Sequence, residues 1–346
     1  MKTILLFFIA IAISLSNDFE ELYFGTDETL DIMTWNIENF PKNGSITTNY
    51  VTEIIQYLNI DVLAIQEVNS ITSFNSIINQ LDKYEGYLES SWFAGLAYIY
   101  NKETVEINAI YEIYTTSEYW SAFPRSPMIM DMNYMNENYI IINNHYKCCG
   151  DGQFNSNDTG DEETRRYIAN NLLKQYIEDN FSDHKVILLG DLNDDIAESI
   201  NNNVFQMFLN DSENYFFTDL EIAQGSSTGW SFPNWPSHLD HILITNELFA
   251  NDFYVEVIRI DDFMDGGFSE YDQNISDHRP VALKIYPAIV MQGDVNADGE
   301  IDIIDIVSIV NLILDENSAF NQLADVNGDG LINVVDIIDL LNFILN

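Results

Sequence analysis

The chain has 346 residues, of which 47% are hydrophobic and 13% aromatic, a content that supplies a packed core and excludes global disorder. Thirteen Lys and Arg residues against 56 Asp and Glu residues give a formal net charge of −43 at pH 7. This imbalance excludes the large basic face with which proteins neutralise many phosphates, and it indicates either a surface adapted to salty water or acid neutralised by bound divalent cations.

Residues 1–16 have the pattern of a signal peptide. Lys2 supplies a positive charge, residues 4–13 form an uncharged apolar run, and Ser14 and Ser16 place small residues where a signal peptidase reads. We expect cleavage after Ser16, with a site after Ala12 as the alternative. The run is too short to span a bilayer, and no later segment is apolar for long enough. The sequence therefore predicts an exported, soluble protein without a transmembrane segment.

Short β-rich runs alternate with helical stretches along the body of the chain. The runs lie at 32–35, 62–65, 97–100, 139–143 and 186–189, each bounded by polar residues or glycine. Apolar residues recur at helical spacing over 48–58 and 164–181, and 280–286 has the pattern of a last strand. This alternation predicts an α/β fold built on sheets.

The two cysteines, Cys148 and Cys149, are adjacent in the chain. Export favours their oxidation, and a bridge between neighbours closes a small strained ring that would stiffen a turn. A metal site is the other interpretation, but the sequence has no second cysteine pair to complete a tetrahedral site. The sequence therefore favours a vicinal disulfide.

Seven short motifs end predicted strands with a side chain that can bind metal, phosphate or a proton. They carry, in chain order, Asn36, Glu67, Arg125, His145, Asp191 with Asn193, Asp240, and Asp277 with His278. Each motif alone has an ordinary structural explanation, since a Gly-Asp-x-Asn sequence is often only a turn. The order and spacing of the motifs make the whole set specific.

This succession resembles the endonuclease/exonuclease/phosphatase superfamily, which includes deoxyribonuclease I, and the resemblance runs from about residue 34 to residue 281. The resemblance implies a four-layer α/β/β/α sandwich, in which two packed sheets carry helices on both outer faces. It also implies an active site at one end of the sheets.

The resemblance implies a divalent cation in that site. Glu67 would hold the cation, Asn36 would lie nearby, and Asp277 would contribute to the metal or to positioning. Mg²⁺ (or Mn²⁺) suits this set, because such a cation takes one or two carboxylates and shares its remaining shell with water and phosphate. The cation would polarise the phosphoryl oxygen.

The same resemblance assigns proton-transfer and positioning roles. His278 would be the general base that activates the attacking water, and Asp240 would orient it. Asp191 and Asn193 would place the nucleophile and the phosphate. His145 would donate a hydrogen bond to a non-bridging phosphate oxygen.

Arg125 is the expected cationic contact to phosphate. Arg165 and Arg166 are second choices, which could instead pair with neighbouring acidic residues. Superfamily members that grip duplex DNA use basic loops, whereas the loops at 158–163 and 261–265 are acidic here. Tight binding of duplex DNA is therefore not expected.

The C-terminal segment contains an internal repeat, in which residues 294–305 recur as 325–336. Both segments match the EF-hand calcium loop, with glycine at the sixth position and Asp in place of Glu at the twelfth. Each loop leads into an apolar helix, predicted at 303–314 and 334–345. The expected ligands of two Ca²⁺ ions are Asp294, Asn296, Asp298, Glu300, Asp302, Asp305, Asp325, Asn327, Asp329, Leu331, Asn333 and Asp336.

A loop–helix repeat without entering helices resembles the type I dockerin module, a small all-α unit. The resemblance implies calcium binding and a cohesin-like partner, although Ile303-Ile304 and Val334-Val335 replace the small hydroxyl residues that help cellulosomal dockerins choose cohesins. The chain is expected to divide into a signal peptide (1–16), an endonuclease/exonuclease/phosphatase domain (17–287) and a dockerin-like module (288–346).

Together these features predict a secreted, extracellular, divalent-metal-dependent phosphodiester hydrolase, with a nuclease acting on nucleic acid as the leading expectation. The alternative is a lipid or small-molecule phosphoesterase, and the aromatic segment 230–236 could stack on bases, lie against lipid or fill its own core. A third reading is a non-catalytic binding module displayed through the C-terminal tail. The complete His–Asp pair and the metal carboxylate argue against it.

Overall fold

The computed structural model describes residues 19–88, 95–287, 291–296, 299–315 and 320–345. The predicted signal peptide (1–16) and the predicted calcium ligand Asp298 lie outside the described residues. Within these ranges, no helix is both long enough and apolar enough to cross a membrane.

Twelve strands are present in the described residues, numbered here in chain order. They are β1 Leu30–Phe40, β2 Val62–Val68, β3 Tyr84–Tyr87, β4 Gly95–Asn101, β5 Val105–Glu112, β6 Met128–Tyr134, β7 Glu137–His145, β8 Lys185–Asp191, β9 Tyr215–Phe217, β10 Asp240–Thr245, β11 Phe253–Val257 and β12 Val281–Ile285. The strands predicted at 32–35, 62–65, 97–100, 139–143 and 186–189 lie inside β1, β2, β4, β7 and β8. The predicted last strand, 280–286, corresponds to β12.

The described residues also form eight α-helices. They are α1 Ser45–Leu58, α2 Ile71–Ile78, α3 Glu162–Asn180, α4 Gln206–Leu209, α5 Leu220–Ala223, α6 Gly267–Asn274, α7 Ile303–Leu314 and α8 Val334–Leu345. The helices predicted at 48–58 and 164–181 correspond to α1 and α3. Asp161 caps α3, because its side chain accepts a hydrogen bond from the backbone of Thr164.

The strands form two six-stranded mixed sheets. Their strand orders are β11–β12–β1–β2–β4–β3 and β5–β6–β7–β8–β10–β9. Each sheet has one parallel pair at its centre, β1 with β2 and β7 with β8. A parallel pair requires a crossover connection, and α1 and α3 provide the two crossovers.

Three apolar clusters hold the layers together. In β1, Ile32 faces the cluster between the two sheets, whereas Met33 and Trp35 face the cluster under α1 and α2, as the period of two in a strand requires. On the other sheet, Ile141 faces inward while Ile142 packs under α3. Helices thus cover both outer faces, and the four-layer α/β/β/α sandwich is confirmed.

The parallel pairs decide where the polar motifs meet. Carboxyl ends of parallel strands lie at the same edge of a sheet, so Asn36 in β1 lies beside the end of β2, and His145 at the end of β7 pairs with Asp191 in β8. The antiparallel strand β10 starts at that same edge, because Asp240 pairs with Asp191. One end of the sandwich therefore collects the predicted site.

A buried ion pair anchors the segment that precedes β12. Arg279 donates from Nε and Nη2 to the two carboxylate oxygens of Asp261 at 2.8 and 2.6 Å, and both residues are at most 5% exposed. The Arg279 guanidinium also lies 5.1 Å from the centre of the Phe268 ring. The pair fixes the chain immediately after His278.

Arg279→Met is expected to lower the free energy of unfolding by about 3–5 kcal/mol, because it removes both hydrogen bonds from the guanidinium to the buried Asp261 carboxylate and leaves the longer contact of 3.5 Å with Arg259. Urea unfolding followed by far-UV circular dichroism measures the loss. Lys83→Met is the matched control: its ion pair with Glu103 is exposed at 3.8 Å and should contribute less than about 1 kcal/mol. Equal losses in the two variants would contradict the assigned role of the buried pair.

The C-terminal module has a small apolar core of its own. Its helices α7 and α8 share a small apolar cluster that includes Ile309, Ala324 and Leu340. Asp302 caps α7 and forms a capping box with Asp305. The observed helices match the predicted 303–314 and 334–345, so a small all-α module with two loop–helix repeats is confirmed.

Candidate active site

A cleft of about 750 Å³ opens at the end of the sandwich where the parallel strands terminate. Seven of the nine residues predicted for catalysis, metal and phosphate binding line it: Asn36, Glu67, His145, Asp191, Asn193, Asp277 and His278. Asp240 is fully buried behind His278, and Arg125 is half-buried outside the lining. The predicted set therefore converges on one site, although it is drawn from both sheets.

Glu67 and Asp191 are joined through the amide of Asn36. Asn36 Nδ2 donates to Asp191 Oδ2 at 2.9 Å and to Glu67 Oε1 at 3.3 Å, and the other Glu67 oxygen accepts from the backbone of Asn39 at 2.9 Å. Asn36 Oδ1 accepts from the backbone of Glu38 at 3.0 Å. Two carboxylates from different sheets thus face one space, and carboxylate oxygens are the donors that hard cations prefer.

A backbone irregularity turns Glu67 toward this space. The register between β2 and β4 shifts between Ile65 and Val68, and Glu67 has a φ of 66°. The left-handed region is costly for a residue with a Cβ, and such strain is concentrated at functional sites. Glu67 therefore adopts a conformation that a regular strand residue would avoid.

His278 and Asp240 form a hydrogen-bonded pair in the cleft wall. His278 Nδ1 lies 2.8 Å from Asp240 Oδ2, so His278 Nε2 points toward Asp191 Oδ2, 3.8 Å away, and Asp277 Oδ1, 4.0 Å away. The backbone of His278 is held as well: its N–H donates to Ser276 Oγ, and its carbonyl oxygen accepts from the Tyr271 hydroxyl at 2.6 Å. The imidazole is therefore fixed with one nitrogen free for chemistry.

The carboxylates around His278 control its protonation. Burial opposes the charged imidazolium, but the negative charges of Asp240, Asp191 and Asp277 outweigh burial and raise the pKa of His278 to about 10. Burial also raises the pKa of Asp191 to about 7. A cation bound among these carboxylates would offset their charge, and the pKa of His278 would then fall toward the range in which it can accept a proton.

The pKa of His145 is shifted in the opposite direction from the pKa of His278. It is buried, and burial together with the positive charges of Arg125 and His278 holds its pKa well below the ordinary value. Its Nε2 lies 3.5 Å from Asp191 Oδ2, while its Nδ1 has no hydrogen-bond partner among the described residues. A neutral imidazole keeps one N–H, so His145 is suited to donate a hydrogen bond and unsuited to carry charge.

The Gly190-Asp191-Leu192-Asn193 turn aims the Asp191 carboxylate. Gly190 has a φ of 142°, and a Cβ there would lie 2.0 Å from the carbonyl oxygen of Asn144, so only glycine fits between β7 and β8. Asn193 has a φ of 54° and its N–H donates to Asp191 Oδ1 at 3.1 Å. The motif is therefore a structural turn and a site element at once.

The three candidate arginines differ in whether their guanidinium groups are already bonded to other residues. Arg125 makes no hydrogen bond or ion pair with any described residue, yet its charge acts on His145. Arg166 is buried, and its guanidinium donates to Asp194 at 2.8 Å and pairs with Glu163 at 3.1 Å. Arg165 donates to the carbonyl oxygen of Ser121. The pairing of Arg166 with acidic residues agrees with the structural alternative, whereas Arg125 has no such pairing among the residues that the structure describes.

Cys148 and Cys149 line the cleft, whereas His238 and His241 are fully buried outside its lining. Cys148 and Cys149 are free thiols with their sulfur atoms 3.0 Å apart, which corrects the expected vicinal disulfide. His238 and His241 both bond to the buried Asp219 carboxylate, at 3.0 and 2.6 Å, and therefore form a local hydrogen-bond network.

Sequence reasoning did not single out Glu38, one of the acidic residues that line the cleft. Glu38 lies two residues after Asn36, lines the cleft, and its Oε2 accepts a hydrogen bond from the backbone of Asp277 at 3.0 Å. Burial, and then the charge of Asp277, raise the pKa of Glu38. The spacing Asn36-x-Glu38 was the available signal, because alternate residues of a strand point to the same side.

In the C-terminal module, the first and last side chains of each predicted calcium loop point inward. Asp305 accepts hydrogen bonds from the backbone of Val295 and Asn296, and Asp336 accepts one from the backbone of Asn327. The buried acidic positions are Asp294, Asp305, Asp325 and Asp336. The sixth positions, Gly299 and Gly330, have φ values of 85° and 84°, as the sharp turn of the loop requires.

Family comparisons match both parts of the chain. The model described as the Endonuclease/Exonuclease/phosphatase family matches residues 33–278, which is more than half of the chain. The model described as the Dockerin type I domain matches residues 292–345. No curated protein matches the chain.

Solved structures resemble the sandwich at low sequence identity. D. rerio TDP2 complexed with a single-strand DNA product is 14% identical, covers 75% of this chain and 99% of that chain, and has a TM-score of 0.56. The human Nocturnin catalytic domain with bound sulfate anion is 17% identical, with coverages of 75% and 93% and a TM-score of 0.54. The mannosyl-6-phosphatase of Bacteroides thetaiotaomicron VPI-5482 is 16% identical, with coverages of 74% and 99% and a TM-score of 0.52.

At these identities the structural likeness establishes the fold, and the family model establishes the family. Its match begins in β1 and ends at His278, so it spans every motif of the cleft. The chain therefore belongs to the endonuclease/exonuclease/phosphatase family of metal-dependent phosphoesterases and carries a type I dockerin domain at residues 292–345.

Proposed function

We propose that the protein is a secreted phosphodiester hydrolase with nucleic acid as its leading substrate class. The observation that carries the proposal is the pairing of His278 with Asp240 in a cleft that also contains the carboxylates of Glu67 and Asp191. A positioned base and a cluster of oxygen donors are the two components that metal-assisted hydrolysis of a phosphate ester requires.

Glu67 and Asp277, with the Asn36 amide beside Glu67, would hold the catalytic cation. Carboxylate oxygens fit Mg²⁺ (or Mn²⁺), and Glu67 and Asp277 remain partly exposed, which leaves room for water and phosphate in the coordination shell. When bound, the cation would polarise a phosphoryl oxygen and offset charge in the transition state.

The remaining residues would act directly on water and substrate. His278 Nε2 would take a proton from the attacking water, while Asp240 holds the opposite nitrogen and stabilises the imidazolium that forms. Asp191 and Asn193 would position the nucleophile and the phosphate. Neutral His145 would donate to a non-bridging oxygen, and Arg125, which no described residue engages, would move onto the phosphate.

Aromatic side chains support nucleic acid as the substrate. Trp235 lines the cleft and is 79% exposed, and the Phe232 ring lies 4.8 Å from the His278 imidazole. Exposed rings next to a phosphate site can stack on bases, and single strands with splayed bases are better suited to this than a duplex. The net charge of −43 disfavours an extended grip on duplex DNA.

The acidic lining of the cleft favours a second candidate, a phosphoesterase for small molecules or lipids. Glu38, Asp194, Asp195 and Glu198 all face the cleft, and they would repel a polyanion more strongly than a single phosphate group. One of the structural neighbours is named as a mannosyl-6-phosphatase. A compact phosphate ester would reach the site with less electrostatic penalty.

Hydrolysis assays distinguish these substrates. Plasmid DNA, single-stranded DNA, bis-p-nitrophenyl phosphate and a sugar phosphate are incubated in high salt with Mg²⁺, Mn²⁺ or EDTA. Metal-dependent cleavage of DNA and of the small diester supports the nuclease. Cleavage of the small diester or the sugar phosphate without DNA cleavage rejects the nuclease and supports the second candidate.

We further propose that residues 1–16 direct export, that 17–287 form the catalytic domain, and that 288–346 dock the enzyme to a cohesin-like partner. The dockerin match and the sequence pattern of a signal peptide both support an extracellular location. The two loops of the module would each bind one Ca²⁺, and exposed residues such as Ile303 and Val334 would contribute to the docking face.

Saturating Ca²⁺ is expected to raise the unfolding temperature of the C-terminal module in the full chain by more than about 10 °C, because two ions that bind only the folded loops stabilise a small unit strongly. Calorimetry in Ca²⁺ and in EDTA measures the shift. Asp305→Ala with Asp336→Ala should abolish it, whereas Asp339→Asn, outside the loops, should retain it. An unchanged transition in Ca²⁺ would refute the assignment of the loops.

A further inference from the structure

The loop between β7 and α3, residues 146–161, carries an acidic cluster outside the catalytic motifs. Asp151 and Asp161 of this loop and Glu163 at the start of α3 each present a carboxylate oxygen, and these atoms lie within 4.8 Å of one another. We propose that Asp151, Asp161 and Glu163 form a site for a hard divalent cation of the Ca²⁺ class, separate from the catalytic metal and from the dockerin loops.

The burial of Glu163 distinguishes this cluster from a group of acidic residues on the surface. The residue is 2% exposed, and its Oε1 accepts from the backbone of Gly152 at 2.8 Å and pairs with Arg166 at 3.1 Å. Its Oε2 is buried and has no hydrogen-bond donor among the described residues. A carboxylate oxygen removed from water without a partner is costly, and a bound cation would satisfy it.

The nearby positive charge does not balance the acid. Arg166 is shared between Glu163 and Asp194, and Asp151 and Asp161 bring two further carboxylates to the same end of α3. Lys147, in the same loop, pairs with Glu162 at 3.9 Å. The single positive charge of Arg166 thus faces the buried carboxylates of Glu163 and Asp194, and the carboxylates of Asp151 and Asp161 lie nearby. A divalent cation would offset most of the remaining negative charge.

The donor set indicates the class of ion. All three side chains offer oxygen alone, and Ca²⁺ accepts six to eight oxygen ligands in flexible geometry, including water. Asp161 is already held, since its Oδ2 accepts from the backbone of Thr164 at 2.8 Å, while Asp151 is exposed and leaves one side open to solvent. Water can therefore complete the coordination shell from that side.

Binding at this position would act on the wall of the cleft. Cys148, Cys149, Gly152 and Glu163 all line the cleft, and Arg166 ties the same loop to Asp194, three residues after Asp191. A cation that joins Asp151 to α3 would hold this wall in place. The site would thus be structural, and its detection does not depend on catalysis.

The test measures binding of Ca²⁺ alone to the full chain. Asp294→Ala and Asp325→Ala are introduced first, to remove the leading ligand of each dockerin loop, and ⁴⁵Ca²⁺ binding is then followed by equilibrium dialysis. We expect one bound Ca²⁺ in this background. Asp151→Asn should raise its Kd about tenfold or more, as loss of one charged ligand implies, and Asp161→Asn, which preserves the helix cap, should do the same.

Asp158→Asn is the matched control, because Asp158 is an exposed acid of the same loop that is not a member of the cluster. Its Kd should equal that of the background chain. Equal Kd values for Asp151→Asn and Asp158→Asn would overturn the proposal. Loss of the bound Ca²⁺ in Glu67→Gln with no effect of Asp151→Asn would also overturn it, since the ion would then belong to the catalytic site.

Discussion

His278→Ala is expected to lower kcat for phosphodiester hydrolysis by about 10³-fold, because a positioned general base typically contributes 10²–10⁴-fold. The Nε2 atom of His278 faces Asp191 and Asp277, and Asp240 holds the opposite nitrogen at 2.8 Å, so the substitution removes the positioned imidazole and its contact with Asp240. Initial rates at saturating Mg²⁺ with bis-p-nitrophenyl phosphate measure the effect. Circular dichroism establishes that the variant is folded.

The remote histidine His184 provides the control, since it is exposed and lies outside the cleft. His184→Ala should retain full activity. Asp240→Asn should retain the imidazole but lower its pKa, because Asp240 is the largest of the carboxylate influences that raise it. A base acts in its neutral form, so activity rises with pH through the pKa of His278, and Asp240→Asn should move this rise to lower pH. Full activity of His278→Ala would refute the assigned base.

Glu67→Gln is expected to lower kcat/KM by more than about 10²-fold at low Mg²⁺, with partial recovery as Mg²⁺ is raised. The substitution removes a negative charge that the cation requires, while the amide oxygen can still accept the hydrogen bond that the backbone of Asn39 donates. Even residues that only support metal ligands typically alter metal affinity by 10–100-fold, so a direct ligand should exceed that range. Rates measured across a Mg²⁺ titration separate weakened binding from damaged chemistry.

Glu103→Gln is the matched control, because Glu103 is exposed and its only described ion pair is the surface contact with Lys83. The Mg²⁺ dependence of that variant should equal that of the unmodified chain. If Glu67→Gln also showed an unchanged Mg²⁺ dependence, the cation would have to be held by other residues of the cleft, and the assignment of Glu67 would be wrong.

The fold was predictable where the pattern of apolar residues within a single strand or helix was strong. β1, β2, β7 and β8 are buried on both faces, and β2, β7 and β8 therefore appear in the sequence as short runs of mostly branched apolar residues. β5 and β9 are the two edge strands of their sheet and are partly exposed, so the sequence pattern does not locate them. β6 is not located either, because it is rich in methionine. Methionine fills gaps in a core without favouring a strand.

The meeting of the strand-end motifs in one cleft was predictable to a similar degree. The motifs predicted that Asn36, Glu67, His145 and Asp191 lie together, because parallel strands bring their carboxyl ends to one edge. Glu38 was missed, because its role depends on a hydrogen bond from Asp277, 239 residues away in the chain.

What the sequence by itself determined is therefore local: the strand–helix alternation, the family motifs, and two loops of the calcium-binding type whose expected ligands lie within twelve consecutive positions. The tertiary structure alone decided that Arg166 is committed to Glu163 and Asp194, whereas Arg125 makes no ion pair with any described residue. The reason is physical. Periodicity and turn chemistry depend on neighbouring residues, whereas burial, charge balance and pKa depend on packing between segments that are distant in the chain.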